Sequence, residues 1–375
     1  MKARTTALIA ILAGASALST ACGNDINLFG KNSKPTPVDT APPGWDPSFG
    51  NDKYFYFWRI GADQANNLKG RIWREPIDES SPPTEYWKGS GPNYKCVGCH
   101  SISKDGRYMN VVELTARTSI DFSLHTVDLS QDPPQEIVIG AGANPAATPP
   151  SGSFSSWQPV AVGSTSDRFV YATGQGGLQI ASVSSGVLMT LVPVTADGEA
   201  PSMPSWGPDD RIYYAASRYG DPRIVLYQES EIWSVKADGT GKELVFSRAG
   251  KMAYFPEVSP NGKWLAFTMS PASIESDTFA NTKAKVMILD LENGALLTPN
   301  DLDAVSSEGR SWATWSAKGN RLTCGTATAA EDTNGNHDSD VYEVDFDPIT
   351  GEDFNARRVD AISTGEFEHI PRWSP

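Results

Sequence analysis

One short motif returns along the chain, and it limits the possible folds more tightly than any other feature. A Pro or Trp enters a strand, a Ser or Gly-Pro turn with Asp, Asn or Gly follows, and an alternating apolar strand comes next. The motif reads Pro204-Ser205-Trp206-Gly207-Pro208-Asp209 before Arg211-Ile212-Tyr213-Tyr214, and Pro256-Glu257-Val258-Ser259-Pro260-Asn261-Gly262 before Trp264-Leu265-Ala266-Phe267. Thr314-Trp315-Ser316-Ala317-Lys318-Gly319 before Arg321-Leu322-Thr323-Cys324 is a third copy, and weaker copies run from Trp157 to Tyr171 and from Ser101 to Val112. A return every ~50–60 residues suits the blades of a β-propeller with long insertions.

Each copy is followed by further strand signals. Ser123 to Leu129, Glu231 to Val235 and Lys285 to Leu291 alternate or run apolar in short bursts, and Asp-Gly or Asn-Gly turns follow two of them. Four strands per repeat make a blade. These motifs resemble the TolB-like propeller repeat, whose blades open with a Pro-x-Trp-Ser-Pro-Asp-Gly type of sequence, and the resemblance covers the chain from about Tyr94 onwards. It implies an all-β fold and a non-catalytic interaction scaffold that holds a protein or a glycan.

The two ends of the chain read as one shared blade. Pro371-Arg372-Trp373-Ser374-Pro375 opens a repeat and then the sequence stops, while Lys53 to Ile60 and Gly70 to Pro76 are strand patterns that precede the first full repeat. Pairing them removes two exposed sheet edges. Five internal repeats plus this blade predict about six blades, the last closed by N- and C-terminal strands.

Cys96-Val97-Gly98-Cys99-His100 carries the strongest chemical signal. Two thiols three residues apart with a histidine directly after them form the attachment pattern of c-type haem, in which the sulfurs bond the vinyl groups and the imidazole ligates iron. Aligned with the repeat, these cysteines fall in the segment entering the innermost strand of a blade, beside the axial channel. Met109, His125 and His369 are the candidates for a sixth ligand. The competing structural reading is a Cys96–Cys99 disulfide that stiffens a loop, and TolB-like propellers do not generally carry haem. Zinc fits less well, because adjacent Cys and His residues do not easily face one tetrahedral ion.

The N-terminus places the chain in an exported setting. Lys2 and Arg4 precede an apolar run from Ala7 to Leu18, and Ser19-Thr20-Ala21 leads to Cys22, the layout of a secretory signal with a cysteine after the cleavage site. This resembles a bacterial lipoprotein signal, which would make Cys22 the lipidated first residue. The expected organisation is residues 1–21 as signal peptide, 22–50 as lipid anchor and flexible tether, and 51–375 as propeller. The apolar run is shorter than the ~20 residues of a membrane span. Localisation on the periplasmic or cell-surface face of a bacterial membrane follows, with an envelope protein or redox partner. A net charge of −14 argues against a nucleic-acid partner, which needs a basic face.

A second constellation runs from Asp332 to Asp340. Oxygen side chains of Asp332, Asn334, Asn336, Asp338 and Asp340 alternate around Gly335, which resembles a calcium-wrapping loop, although the glycine comes early for an EF-hand. A polar hairpin insertion accounts for the same residues. Enzyme signatures are thin: the chain has no Gly-x-Ser-x-Gly elbow, phosphate-binding loop or dinucleotide fingerprint. The leading expectation is thus an exported haem c propeller for electron transfer or redox sensing, with the scaffold as its alternative. A reduced pyridine haem spectrum of protein made with an attachment system tests it. Covalent haem is expected in the wild type and absent after Cys96→Ala with Cys99→Ala, whereas a folded, colourless wild type leaves only the scaffold.

Overall fold

The computed structural model describes residues 54–60, 70–77, 80–89, 96–114, 122–140, 148–161, 164–174, 176–194, 200–221, 226–272, 281–305, 308–327, 339–360, 362–363 and 367–373. The expected signal peptide, Cys22 and the tether lie outside them. Among the described residues no helix is long and apolar enough to cross a membrane.

The architecture is all-β. Strands β1 (Tyr54–Ile60), β2 (Arg71–Pro76) and β3 (Thr84–Trp87) form one antiparallel group. A second contains β4 (Cys96–Ile102), β5 (Tyr108–Leu114), β6 (Ser123–Asp128) and β7 (Gln135–Ile137), and a third β8 (Gly152–Trp157), β9 (Arg168–Thr173), β10 (Leu178–Ser182) and β11 (Gly186–Val192). Two further groups are β12 (Ala200–Trp206), β13 (Arg211–Asp221), β14 (Leu226–Lys236), β15 (Glu243–Phe246) and β16 (Lys251–Val258), β17 (Trp264–Pro271), β18 (Lys285–Asp290), β19 (Leu296–Leu297). A single parallel pair, Ser230 with Met252, joins them into one eight-stranded sheet. After the short helix α1 (Asn300–Val305) come β20 (Gly309–Trp315), β21 (Arg321–Ala327), β22 (Val341–Phe346) and β23 (Asp353–Arg358). The last strand, β24 (Phe367–Trp373), returns to pair antiparallel with β1, completing the order β24-β1-β2-β3.

The repeated serine acts as a turn former. Between β16 and β17 the Ser259 hydroxyl donates to Asn261 Oδ1 at 2.6 Å and accepts the Trp264 amide at 2.9 Å, while the Gly262 amide returns to the Ser259 carbonyl at 2.9 Å. Ser103 repeats this with Asp105, Tyr108 and Gly106 between β4 and β5. Gly262, Gly106 and Gly319 hold φ of 72°, 70° and 68°, a left-handed conformation in which a Cβ is strained, so the motif ends in glycine.

Neighbouring groups are joined through their first strands. The Trp157 indole on β8 donates to the Ser101 carbonyl on β4, and the Trp315 indole on β20 donates to the Glu257 carbonyl on β16. Serine hydroxyls add to this: Ser101 meets Ser155 at 2.8 Å, Ser156 accepts the Trp206 amide at 2.9 Å, and Ser205 accepts the Val258 amide at 3.0 Å. The apolar clusters lie between groups rather than within them. Val97, Met109 and Val127 of the second group pack on Tyr56 and Ile72 of the first, and Phe55, Phe57 and Trp373 pack on Val341 and Ile362.

The N- and C-terminal strand patterns therefore meet in one sheet. Trp373 is the residue that ties it to its neighbour: its ring stands edge-on to Phe55 at 5.3 Å and its indole donates to Thr323 Oγ1 at 3.1 Å. Truncating a buried tryptophan of this kind removes ~3–5 kcal/mol. Trp373→Ala is expected to lose that amount in urea unfolding, and deleting residues 370–375 should cause aggregation. An equal deletion within 23–34 should leave the unfolding midpoint unchanged.

Candidate functional site

The first strand of each group carries a bulge at an equivalent position. The ladder skips from Gly98 to Ser101 in β4, Ser153 to Ser155 in β8, Ser202 to Ser205 in β12, Tyr254 to Glu257 in β16 and Ser311 to Thr314 in β20. One skipped residue in each has positive φ: Cys99 (43°), Phe154 (20°), Met203 (53°), Phe255 (50°) and Trp312 (57°). None is β-branched, which agrees with the severe clash a branched side chain meets in this conformation. Pro204 and Pro256 also sit in the skipped stretch, where a missing N–H leaves no ladder bond unmade.

These bulged residues line one small pocket, with Cys99, His100, Phe154, Met203, Phe255, Trp312 and Arg372 in its wall. All six first strands, β4, β8, β12, β16, β20 and β24, contribute to it. Three aromatic rings from different groups meet there: Phe255 and Trp312 have centroids 3.9 Å apart, and Phe154 lies 5.6 Å from Trp312 and 5.8 Å from Phe255. The Arg372 guanidinium stands 5.7 Å from the Trp312 ring centroid and its Nε donates to the His100 carbonyl at 3.2 Å.

The Cys-Val-Gly-Cys-His stretch is part of strand β4 itself rather than a segment leading into it. Val97 is buried in the core between the first and second groups. A Cβ at Gly98 would stand 3.3 Å from the Trp58 ring, a tight contact that the glycine relieves. Cys99 packs against the central aromatic cluster. The Cys96 side chain lies outside the described residues.

His100 is 1% exposed. Neither ring nitrogen makes a hydrogen bond of ordinary geometry. Burial, with the nearby positive charge of Arg372 adding to it, lowers its pKa to about 3, and the Tyr56 backbone alone works in the opposite direction. The imidazole is therefore neutral. These residues do not fit a covalent haem: the enclosed imidazole offers no open face to a macrocycle, a guanidinium stands beside it, and aromatic rings from separate strands already occupy the space in front of Cys99.

The other candidate ligands are not brought to His100. Met109 is fully buried in the core between the first two groups. His125, on the third strand of its sheet, has Nδ1 2.6 Å from Glu136 Oε1 and Nε2 3.7 Å from Glu113. Neither lines the pocket. The His369 backbone pairs with Trp58, and its side chain lies outside the described residues. Of the expected calcium loop, Asp332, Asn334, Asn336 and Asp338 also lie outside them, and Asp340 accepts from Arg358 at 2.9 Å. Among the described residues no group of three or more His, Cys, Asp or Glu side chains is arranged to hold a metal. Cys324, a nucleophile by type, is buried and its thiol is pushed up to about 12, which keeps it protonated and inert.

Sequence reasoning placed the cysteines near an axis but missed Phe154, Met203, Phe255, Trp312 and Arg372 as pocket residues. The signal available was proline within a strand pattern, as in Met203-Pro204 and Phe255-Pro256, which marks a bulge.

No family model and no curated protein matches the sequence. Solved structures do match. TolB from Acinetobacter baumannii is 14% identical with a TM-score of 0.56, the match covering 86% of this chain and 67% of that one. A TolB of Agrobacterium tumefaciens is 15% identical over 86% of this chain and 98% of that one, with a TM-score of 0.48. The fold is that of the TolB-like β-propeller proteins.

The buried neutral imidazole has a measurable consequence. Its folded pKa lies below its unfolded value of ~6.5, so the unfolded chain takes up a proton that the folded chain refuses, and stability falls as pH drops from ~6.5 towards 3 by up to ~1.4 kcal/mol per pH unit. His100→Phe is expected to remove that part of the slope in urea unfolding measured between pH 6.5 and 4. An unchanged slope would show that His100 is protonated in the folded protein.

Proposed function

We propose that the chain is a non-catalytic binding module of the cell envelope: a six-bladed propeller, closed by its two terminal strands, that receives a segment of a protein partner in its axial pocket. The observation that carries this reading is the pocket itself, built from one bulged residue of each of five first strands and from Arg372 of the sixth. Support for ring closure comes from the order of contacts, in which β4, β8, β12, β16, β20 and β24 each touch the next and β24 touches β4. Support for a binding rather than a catalytic role comes from the lining. It mixes aromatic and apolar side chains with the polar groups of Ser155, Glu257 and Arg372, as small binding sites do. The likeness to TolB at 14% identity supports the fold and no more. Export, and lipid anchoring through Cys22, rest on the N-terminal sequence.

Site-specific photo-crosslinking in the native host tests the reading. Benzoylphenylalanine in place of Phe255, in the pocket wall, is expected to yield a discrete protein adduct on illumination. The same group in place of Ile349, 78% exposed in the turn after β22, is expected to yield none of that mass. Absence of an adduct from position 255, or the same adduct from both positions, would overturn axial binding.

A further inference from the structure

Six strands end a group outward, β3, β7, β11, β15, β19 and β23, and among the described residues each pairs on one side only. An open edge of this kind invites a further strand, and short length or charge blunts it. β7 and β19 have three and two residues. β3 and β15 have four each and carry Glu85 and Glu243. β23 has six, among them Asp353, Arg357 and Arg358. β11 is the exception: it has seven residues, Gly186-Val187-Leu188-Met189-Thr190-Leu191-Val192, and none is charged. Val187 and Leu188 stand side by side on it, 53% and 46% exposed. The ladder gives the reason. Ala181 pairs with Val187 and Ile180 with Met189, so Leu188 is the extra residue of a bulge, which breaks the alternation that would have turned one of the two inward.

From these observations we infer that the outer edge of β11 is a second docking surface, separate from the axial pocket, for an extended apolar segment of a partner protein that adds to the sheet as a fifth strand. Backbone hydrogen bonds along such an edge supply affinity, and side-chain contacts supply the choice of sequence. Val187 and Leu188 suit β-branched or aliphatic side chains across from them. Area and charge decide between this occupant and a second copy of the chain. A strand of seven residues is about 23 Å long and a sheet about 10 Å thick, so two such edges meeting bury roughly 500 Å² in all, against the ~1,200 Å² that stable folded partners need. Two copies also bring together bodies of net charge −14 each, and β11 has no charged group to offset the repulsion. The bulges at Leu188 and Leu191 break the regular ladder that self-pairing of two rigid edges requires, whereas a flexible segment adapts to them. Charge sets the flanks of the segment as well. Asp167 accepts from the Ser184 hydroxyl at 3.1 Å in the turn before β11, so on this acidic chain lysine or arginine is favoured at the segment's ends and acid is opposed.

Fluorescence anisotropy with the full chain in detergent tests the inference with three labelled peptides: acetyl-Lys-Val-Thr-Val-Thr-Val-Lys-amide, the same peptide with proline as its central residue, and the valine peptide with glutamate in place of both lysines. Proline removes a ladder N–H, so the valine peptide is expected to bind about tenfold or more tighter than the proline peptide, and the lysine ends tighter than the glutamate ends. Leu188→Lys sets a charge on the edge and should abolish the difference between valine and proline peptides, while Ile349→Lys, in an exposed turn elsewhere, should leave it unchanged. Both variants replace exposed side chains, and equal midpoints in urea unfolding confirm that they fold. Valine and proline peptides binding equally well to the wild type, or neither binding, would overturn the docking edge. Sedimentation velocity that shows a concentration-dependent dimer, lost in Leu188→Lys, would give the edge to a second copy and overturn the partner segment. The axial pocket is judged separately, by the crosslinks from position 255.

Discussion

Everything at the centre of this molecule depends on one backbone device, a bulge in each of five strands that rotates a residue out of the ladder into a left-handed conformation. For a residue with a Cβ this conformation costs roughly 1–2 kcal/mol. The device recurs in β4, β8, β12, β16 and β20, so the cost is repeated. What offsets it is the meeting of large side chains from separate sheets, Phe154, Phe255 and Trp312, which are buried against one another. Because the bulged residues meet at the centre, the pocket is a property of all the sheets at once. No single repeat can form it.

Cohesion between sheets has the same origin. The first strands are linked by serine hydroxyls and indole N–H groups placed immediately after the bulge, at Ser101, Ser156 and Ser205 and at Trp157 and Trp315. Each bond satisfies a polar group that would otherwise be buried at a cost of ~1–3 kcal/mol. The apolar clusters between sheets supply the larger share of the stabilisation, and the cluster of Phe55, Phe57, Val341, Ile362 and Trp373 joins the beginning of the chain to its end. The carbonyl of His100 accepting from Arg372 is a second tie between these distant parts of the sequence, 272 residues apart.

The Cys-Val-Gly-Cys-His stretch illustrates how a motif reads differently once it is folded. Val97 is core, Gly98 relieves a tight contact with the Trp58 ring, Cys99 is the bulged residue, and His100 is an enclosed neutral imidazole. Each of these four residues has a packing reason for its identity. Spacing along a chain identifies which atoms are near one another in sequence, whereas haem attachment requires an open face beside the imidazole, and burial of His100 by β1 and β24 removes that face.

Local chemistry made much of the fold legible. Ser259 with Asn261 and Gly262, and Ser103 with Asp105 and Gly106, close their turns with hydrogen bonds spanning no more than five residues, so their pattern is visible in the sequence, as is the alternation in Arg211-Ile212-Tyr213-Tyr214. Aromatic strands at the N-terminus and a lone strand opening at the C-terminus sufficed to foresee the pairing of β1 with β24. Pocket membership was a different matter. Phe154, Met203, Phe255 and Trp312 sit in strands that read as ordinary apolar patterns, and their direction depends on where each ladder skips, which is set by the partner strand. Met109 and His125 belong to the same sheet as His100 yet are kept from it by the neighbouring sheets and by Glu136. The sequence by itself determined the serine turns and the alternating strands beside them, because those rest on hydrogen bonds and side-chain alternation over a few residues. Which side chains share the centre was decided only by the tertiary structure, because convergence at an axis is a relation among strands hundreds of residues apart.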